Sequence, residues 1–306
     1  MKVIEVAGLA VTFRVGFFMK SVEAVRSISF DVEQGQIVGL IGPNGAGKTT
    51  TVKVLMGLCR ATKGATKIKG VDSADPESRR VVGYLPESPY VYPYLTPREF
   101  VDLCGRLSGM NGAARRKRVP EVLERTGIMY AADRSVGRLS KGMLQRTGLA
   151  AALVADPEIL VLDEPMSGLD PIGRREVRDL IFEERRLGRT VLFSSHVLSD
   201  VEALCDHVVI LHKGELKMSG AVSDLVRQGA RLTEVTVRGG GDEVRALLEG
   251  GGRVLRSMGN EIAVEVSGED AVSTLLAKVI AAGGTLVSAV PRKDSLEDLF
   301  VRNAVG

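Results

Sequence analysis

Eight consecutive residues, Gly42, Pro43, Asn44, Gly45, Ala46, Gly47, Lys48 and Thr49, follow the order G-x-x-x-x-G-K-[ST]. Each type in that order has a physical job. Glycines reach backbone angles closed to other residues, so successive N–H groups can turn inward onto phosphate oxygens. A helix opening at Lys48 points its positive end at the same place. Lys48 is expected to reach the β- and γ-phosphates, and Thr49 to present its hydroxyl to Mg²⁺. Thr50 is grouped with these residues as a nucleotide contact. The apolar run QIVGLIG (residues 36–42) reads as a buried strand feeding the loop.

The second constellation is ILVLDE (residues 159–164). An apolar strand carries Asp163 to its C-terminal edge, where α/β proteins bind ligands. Asp163 is expected to hold Mg²⁺, directly or through water. Glu164, one residue further, is suited to orient or deprotonate an attacking water. An isolated Asp-Glu pair reads as a solvated turn, but beside a phosphate loop the chemical reading dominates.

A third piece narrows the class. Leu139-Ser140-Lys141-Gly142-Met143 precedes the Asp163 strand and opens a helix, and Gln145-Arg146 follows it. This resembles the LSGGQ signature of the ATP-binding cassette (ABC) family, with Lys141 in place of a glycine and Met143 in place of the glutamine. Ser167-Gly168-Leu169-Asp170 resembles the family's D-loop, and His196, after TVLFSS, resembles its switch histidine. The resemblance covers about residues 1–220. It implies that Ser140 and Gly142 serve the γ-phosphate of ATP and that Asp170 lies at the nucleotide. It implies catalytic roles for Lys48, Glu164 and His196. Gly83-Tyr-Leu-Pro-Glu87 stands where the family's Q-loop ends in glutamine, and Glu87 is assigned to the metal side. The family stacks adenine on an upstream aromatic. Phe13 is the choice by strand position, with Phe17 and Phe18 as competitors.

The same resemblance implies ATP and Mg²⁺ as cofactors and a homodimer meeting head to tail. Each nucleotide would lie between one chain's phosphate loop and the other's signature. Resemblance to ABC-2 exporters rests on the ending at Glu87, on Ser140-Lys141-Gly142-Met143, and on Leu296-Glu-Asp-Leu-Phe300. It implies an ABC-2 type transmembrane subunit on a separate chain, and a place at the cytoplasmic face of the membrane. Drugs, lipids and polysaccharides are the cargo classes. The alternative is a soluble ABC protein acting on ribosomes or DNA. A single set of motifs argues against the former, and the lack of room for a long coiled coil argues against the latter.

The elements that must position these residues follow from the pattern. The fold expected is α/β: a P-loop (RecA-like) core with an antiparallel β subdomain and a helical subdomain, then a small C-terminal α+β domain. Residues 1–32 read as antiparallel strands in a long hairpin. Thr96-Pro97-Arg98-Glu99 reads as a capping box. Helical pattern continues to Val154, with breaks at 109–112 and 133–140. An amphipathic helix is expected over 174–186 and a buried strand over 190–194. The ATPase domain is assigned to residues 1–220, its helical part to about 88–155, and the accessory domain to 221–306. There the order β-α-β-β-α-β suggests a ferredoxin-like unit, and Ser295-Leu-Glu-Asp298 suggests a final helix.

Composition bounds the rest. The chain has 306 residues, 44% hydrophobic and 26% charged, with net charge +3. So mild an excess does not call for nucleic acid as a partner. Cys59, Cys104 and Cys205 are far apart and form no CxxC pair, so neither a zinc knuckle nor a disulfide framework is suggested and a reduced compartment fits. The N-terminus reads as a strand, not a secretion signal. No apolar run approaches the ~18 residues of a membrane span. The run Arg115-Arg116-Lys117-Arg118 reads either as a solvated helix face or as a lipid-headgroup contact.

Overall fold

The computed structural model describes residues 1–16, 20–228 and 232–292. It divides into two compact units, Met1–Ala221 and Val222–Gly306.

The first unit opens with β1 (Lys2–Val15) and β2 (Lys20–Glu33), the expected antiparallel hairpin. β3 (Ile37–Ile41) is buried at every residue, as its unbroken apolar run requires. Burying each Ile, Leu or Val of this kind contributes about 1.5–3 kcal/mol. Helix α1 (Lys48–Leu55) starts at the end of the phosphate loop. β4 (Lys63–Ile68) and β5 (Val71–Asp72) join β1 and β2 in a four-stranded antiparallel sheet, order β2-β1-β4-β5. β6 (Val82–Leu85) then enters a different sheet.

Three helices follow: α2 (Pro97–Leu107), α3 (Gly112–Arg125) and α4 (Lys141–Leu153). The capping box of α2 is present, with the Thr96 side chain accepting from the Glu99 N–H and the Glu99 carboxylate accepting from the Thr96 N–H. The second helical break begins at Thr126, earlier than the sequence pattern indicates. Gly127 there takes φ +65° and ends α3. In the basic run, Arg115 pairs with Asp102 and Arg118 with Glu121 and Asp156, so only Arg116 and Lys117 project as exposed cations. Half the charge that suggested a lipid contact is spent tying α3 to its neighbours.

β7 (Ile159–Asp163), α5 (Pro171–Arg186), β8 (Thr190–Ser195), α6 (Leu198–Leu204), β9 (His207–His212) and β10 (Glu215–Ala221) complete the unit. α5 begins three residues before the expected Arg174, because Asp170 caps it and Pro171 suits its first position. The main sheet has the order β10-β9-β3-β8-β7-β6, parallel except for the β10 edge. The apolar faces of both sheets and α1 share one core, which includes Ile4, Leu9, Ile28, Leu40, Leu55 and Val161.

The second unit contains α7 (Val222–Gln228), β11 (Leu232–Arg238), α8 (Gly241–Gly251), β12 (Arg253–Met258), β13 (Glu261–Ser267), α9 (Glu269–Ala281) and β14 (Thr285–Arg292). From β11 onward the order is β-α-β-β-α-β. The sheet order β12-β13-β11-β14, antiparallel throughout, is the ferredoxin-like arrangement. Its core gathers Val235, Val237, Val264, Leu248 and Val279. The helix read at Ser295–Asp298 and the ending at Leu296–Phe300 lie outside the described residues.

Candidate functional site at the strand ends

Strand register brings the chemistry together. β8 lies between β3 and β7, with Ile41 opposite Ser195 and Asp163 opposite Ser194. The phosphate loop, Asp163 and the serine pair therefore leave the sheet at one level, on its C-terminal edge.

The loop needs its glycines. Gly42, Gly45 and Gly47 have φ of +156°, +81° and +102°. A Cβ on Gly42 would lie 2.2 Å from the Leu211 carbonyl oxygen, and one on Gly47 would lie 2.7 Å from that of Ala24. Pro43, Asn44 and Gly45 form the exposed tip, while Ala46 is buried beneath it. Thr50 sits half-buried in the first turn of α1.

Lys48 is buried and curls back over the loop. Its Nζ donates to the Gly42 carbonyl at 2.7 Å and lies 3.3 Å from Glu164 Oε1. Thr49 Oγ1 donates to Asp163 Oδ1 at 3.2 Å. Ser194 Oγ donates to the same oxygen at 2.5 Å and accepts from the Glu164 N–H at 2.9 Å. Asp163 is 1% exposed, yet its Oδ2 has no hydrogen-bond partner. A buried carboxylate oxygen left alone calls for a cation or water. One carboxylate and one hydroxyl, beside a phosphate cradle, fit Mg²⁺, which binds through few protein oxygens plus substrate phosphates.

Glu164 is the most constrained residue here. It has φ +50° and is followed by Pro165, a neighbour that disfavours helical angles. Left-handed backbone at a residue other than glycine costs of order 1–3 kcal/mol and concentrates at functional sites. Its second oxygen, Oε2, lies 2.9 Å from His196 Nδ1. A carboxylate can only accept, so Nδ1 carries the hydrogen and Nε2 is left on the half-exposed side of the ring. Gln145, fully buried in α4, donates from Nε2 to the carbonyls of Glu164 and Pro165 at 3.3 and 3.1 Å. Glu164 and His196 wall one cleft with Ser194 and Ser195.

Other expected site residues stand apart from this cluster. Ser140 caps α4, accepting from the Met143 N–H, and Gly142 packs towards Leu169 in the next position but one. Asp170 caps α5 through the Gly173 N–H at 2.7 Å. Glu87 is exposed in a bend after β6, and among the described residues no hydrogen bond or ion pair joins it to Thr49 or Asp163. Phe13 is 40% exposed near the end of β1, paired with Val22 of β2. Its competitors Phe17 and Phe18 lie outside the described residues.

The sequence reading missed Ser194, Tyr84 and the clamp made by Gln145. Ser194 was legible as a polar residue ending a buried strand, but only register puts it beside Asp163. Tyr84 on β6 has its phenol pushed up to about 12, by burial and then by the charge of Asp163.

The family model for ABC transporters matches residues 25–167, a stretch that holds the phosphate loop, the signature, Asp163 and Glu164. An uncharacterized ABC transporter ATP-binding protein of Synechocystis is 38% identical over 98% of this chain and 84% of its own. The chain belongs to the ABC transporter ATP-binding family. It is an ATP-binding subunit of an ABC transporter, and an ATPase. The linearmycin resistance ATP-binding protein LnrL of Bacillus subtilis is 31% identical over 90% of this chain and 92% of its own. A solved ATP-binding subunit of an ABC transporter is 33% identical, with TM-score 0.66 over 74% of this chain and 92% of its own. A dimeric ATP-binding cassette, MJ0796, bound to ADP and Pi has TM-score 0.66 at 24% identity, over 72% of this chain and 98% of its own, a likeness of fold.

Proposed function

We propose that this chain is the ATP-hydrolysing subunit of an ABC-2 type membrane exporter, working as a homodimer at the cytoplasmic face. The observation that carries the hydrolytic part is the fixing of Glu164, one residue beyond Asp163, with Lys48 on one oxygen and His196 on the other. The likeness to a resistance protein supports the exporter part. Among the described residues no helix is long and apolar enough to cross a membrane, so the reading assigns the pathway to a separate chain.

In this reading the N–H groups of residues 42–49 cradle the phosphates of ATP, and Lys48 turns from the Gly42 carbonyl to the β- and γ-phosphates. Phe13 stacks on the adenine. Thr49 and Asp163 would hold Mg²⁺, which would supply positive charge against that developing on the phosphates, with Glu87 assigned to the same side. Ser140 and Gly142 of a second copy close over the γ-phosphate, with Asp170 at the shared boundary. Glu164 accepts a proton from water as its oxygen attacks the γ-phosphorus. The bond to the β,γ-bridging oxygen breaks, leaving ADP and phosphate. His196 holds the Glu164 carboxylate in aim and senses the γ-phosphate. ATP stabilises the closed dimer and hydrolysis reopens it, a population shift that a membrane partner converts into transport. Drugs, lipids and polysaccharides remain the cargo classes.

The test is to tag the Glu164→Gln chain, express it in its native host, solubilise membranes gently with ATP, and identify what is retained. A multi-span membrane protein is the expected result. Ribosomes or DNA-bound factors, without a membrane protein, would overturn the exporter reading and leave the ATPase chemistry standing.

A further inference from the structure

Glu164 leaves β7 on a left-handed backbone, φ +50°, immediately before a proline. Two side chains hold that backbone, one at its N–H and one at its carbonyl. Ser194 accepts its N–H at 2.9 Å. Gln145 Nε2 donates to its carbonyl at 3.3 Å and to that of Pro165 at 3.1 Å. Both acceptors are carbonyls, so the amide must turn its nitrogen towards them, and its two N–H groups match two acceptors. Gln145 is 1% exposed, so water does not stand in for either bond.

Gln145 does not belong to the strand or loop it grips. It sits in α4, whose first turn meets the same loop twice more. A Cβ on Gly168 would lie 2.6 Å from Lys141 Cδ, and one on Gly142 would lie 3.3 Å from Leu169 Cδ2. α4 also packs with α2 and α3. The catalytic backbone is thus held by a helix of a different layer.

We infer that Gln145 is a positioning residue for Glu164: by clamping two successive carbonyls, it makes the placement of α4 set the direction of the water-activating carboxylate. This rests on the role of Glu164 given above. Gln145 transfers no proton and touches no reacting atom. Ser140 and Gln145 share one rigid helix about 7.5 Å apart along its axis. An anion engaged at Ser140 that shifts α4 therefore shifts the clamp on Glu164.

The test uses the full chain in three variants: Gln145→Met, which keeps the reach and loses both N–H donors; Gln145→Glu, which donates only when protonated; and Glu164→Gln as reference. For Gln145→Met the turnover number is expected to fall at least about tenfold, with KM for ATP within about twofold of the parent, the pattern of an interaction made in the transition state. For Gln145→Glu, turnover relative to the parent is expected to rise as pH falls from about 8 to about 6, as the buried carboxyl takes a proton and donates it. Turnover within twofold of the parent in Gln145→Met overturns the clamp. Should Gln145→Met not fold, a flat pH ratio in Gln145→Glu overturns it instead. Normal turnover in Glu164→Gln would remove the role of Glu164. Loss there, with none in Gln145→Met, would remove the clamp alone.

Discussion

Lys48 Nζ lies 3.3 Å from Glu164 Oε1, so the cation expected on the phosphates and the carboxylate expected on the water are paired with each other. Both side chains are largely buried, and a buried pair broken from one side leaves an uncompensated charge. A nucleotide phosphate entering the loop offers Lys48 a replacement anion. The Glu164 carboxylate then keeps His196 on its second oxygen, and its first oxygen becomes free to accept from water. In the function proposed, the pairing would link loading of the loop to release of Glu164.

Ser194 joins the Asp163 carboxylate to the Glu164 backbone, and it is wholly buried. Ser194→Ala leaves the Glu164 N–H without its acceptor. A loss of about 1–3 kcal/mol in unfolding free energy is expected, measured from the denaturant midpoint. Turnover should fall roughly tenfold, the effect of about 1.4 kcal/mol of lost transition-state stabilisation.

Phe13→Ala should weaken nucleotide binding by roughly 5–150-fold, the range for about 1–3 kcal/mol of base stacking. Equilibrium titration with a fluorescent ATP analogue reads this directly. Phe17→Ala and Phe18→Ala should leave the affinity unchanged. Equal loss in all three would assign the effect to the hairpin and not to Phe13.

Glu87→Gln should keep ATP turnover within about an order of magnitude. Glu87 is exposed and makes no hydrogen bond or ion pair to Thr49 or Asp163 among the described residues. A steady-state phosphate-release assay checks this, and complete loss would give the carboxylate a specific role.

The alkaline limb of stability should carry a contribution from Tyr84. Its phenol ionises near pH 10 when unfolded and is pushed up to about 12 in the fold. The folded state thus binds the proton more tightly. The stabilisation is complete below about pH 10 and is lost as pH rises towards 12. Tyr84→Phe should flatten the fall of the urea midpoint across that window.

Much of the fold was legible because each element announces itself locally. The buried strands are short unbroken apolar runs, such as 37–41 and 159–163. The helix starts carry their caps in sequence, as at Thr96. Asp170 was assigned to the nucleotide by resemblance, and its local chemistry as a cap explains why α5 starts at Pro171. Contacts set by register were not legible. Ser194 meets Asp163 because β8 pairs with β7 in a register that the unbroken apolar runs of both strands leave open in sequence. Gln145 meets Glu164 across nineteen positions through the packing of α4, which no local pattern encodes. The ion pairs of the basic run at 115–118 were not legible for the same reason: Asp102 and Asp156, which pair with Arg115 and Arg118, lie outside α3.

In the function proposed, Glu164 drives hydrolysis within an ATP-closed dimer. The direct measurement is ATP turnover of Glu164→Gln together with its mass in solution, with and without ATP. Turnover should fall at least about a hundredfold, the lower end for loss of a general base, while ATP binding persists and the mass doubles with ATP. Near-normal turnover, with no change of mass, would contradict the account.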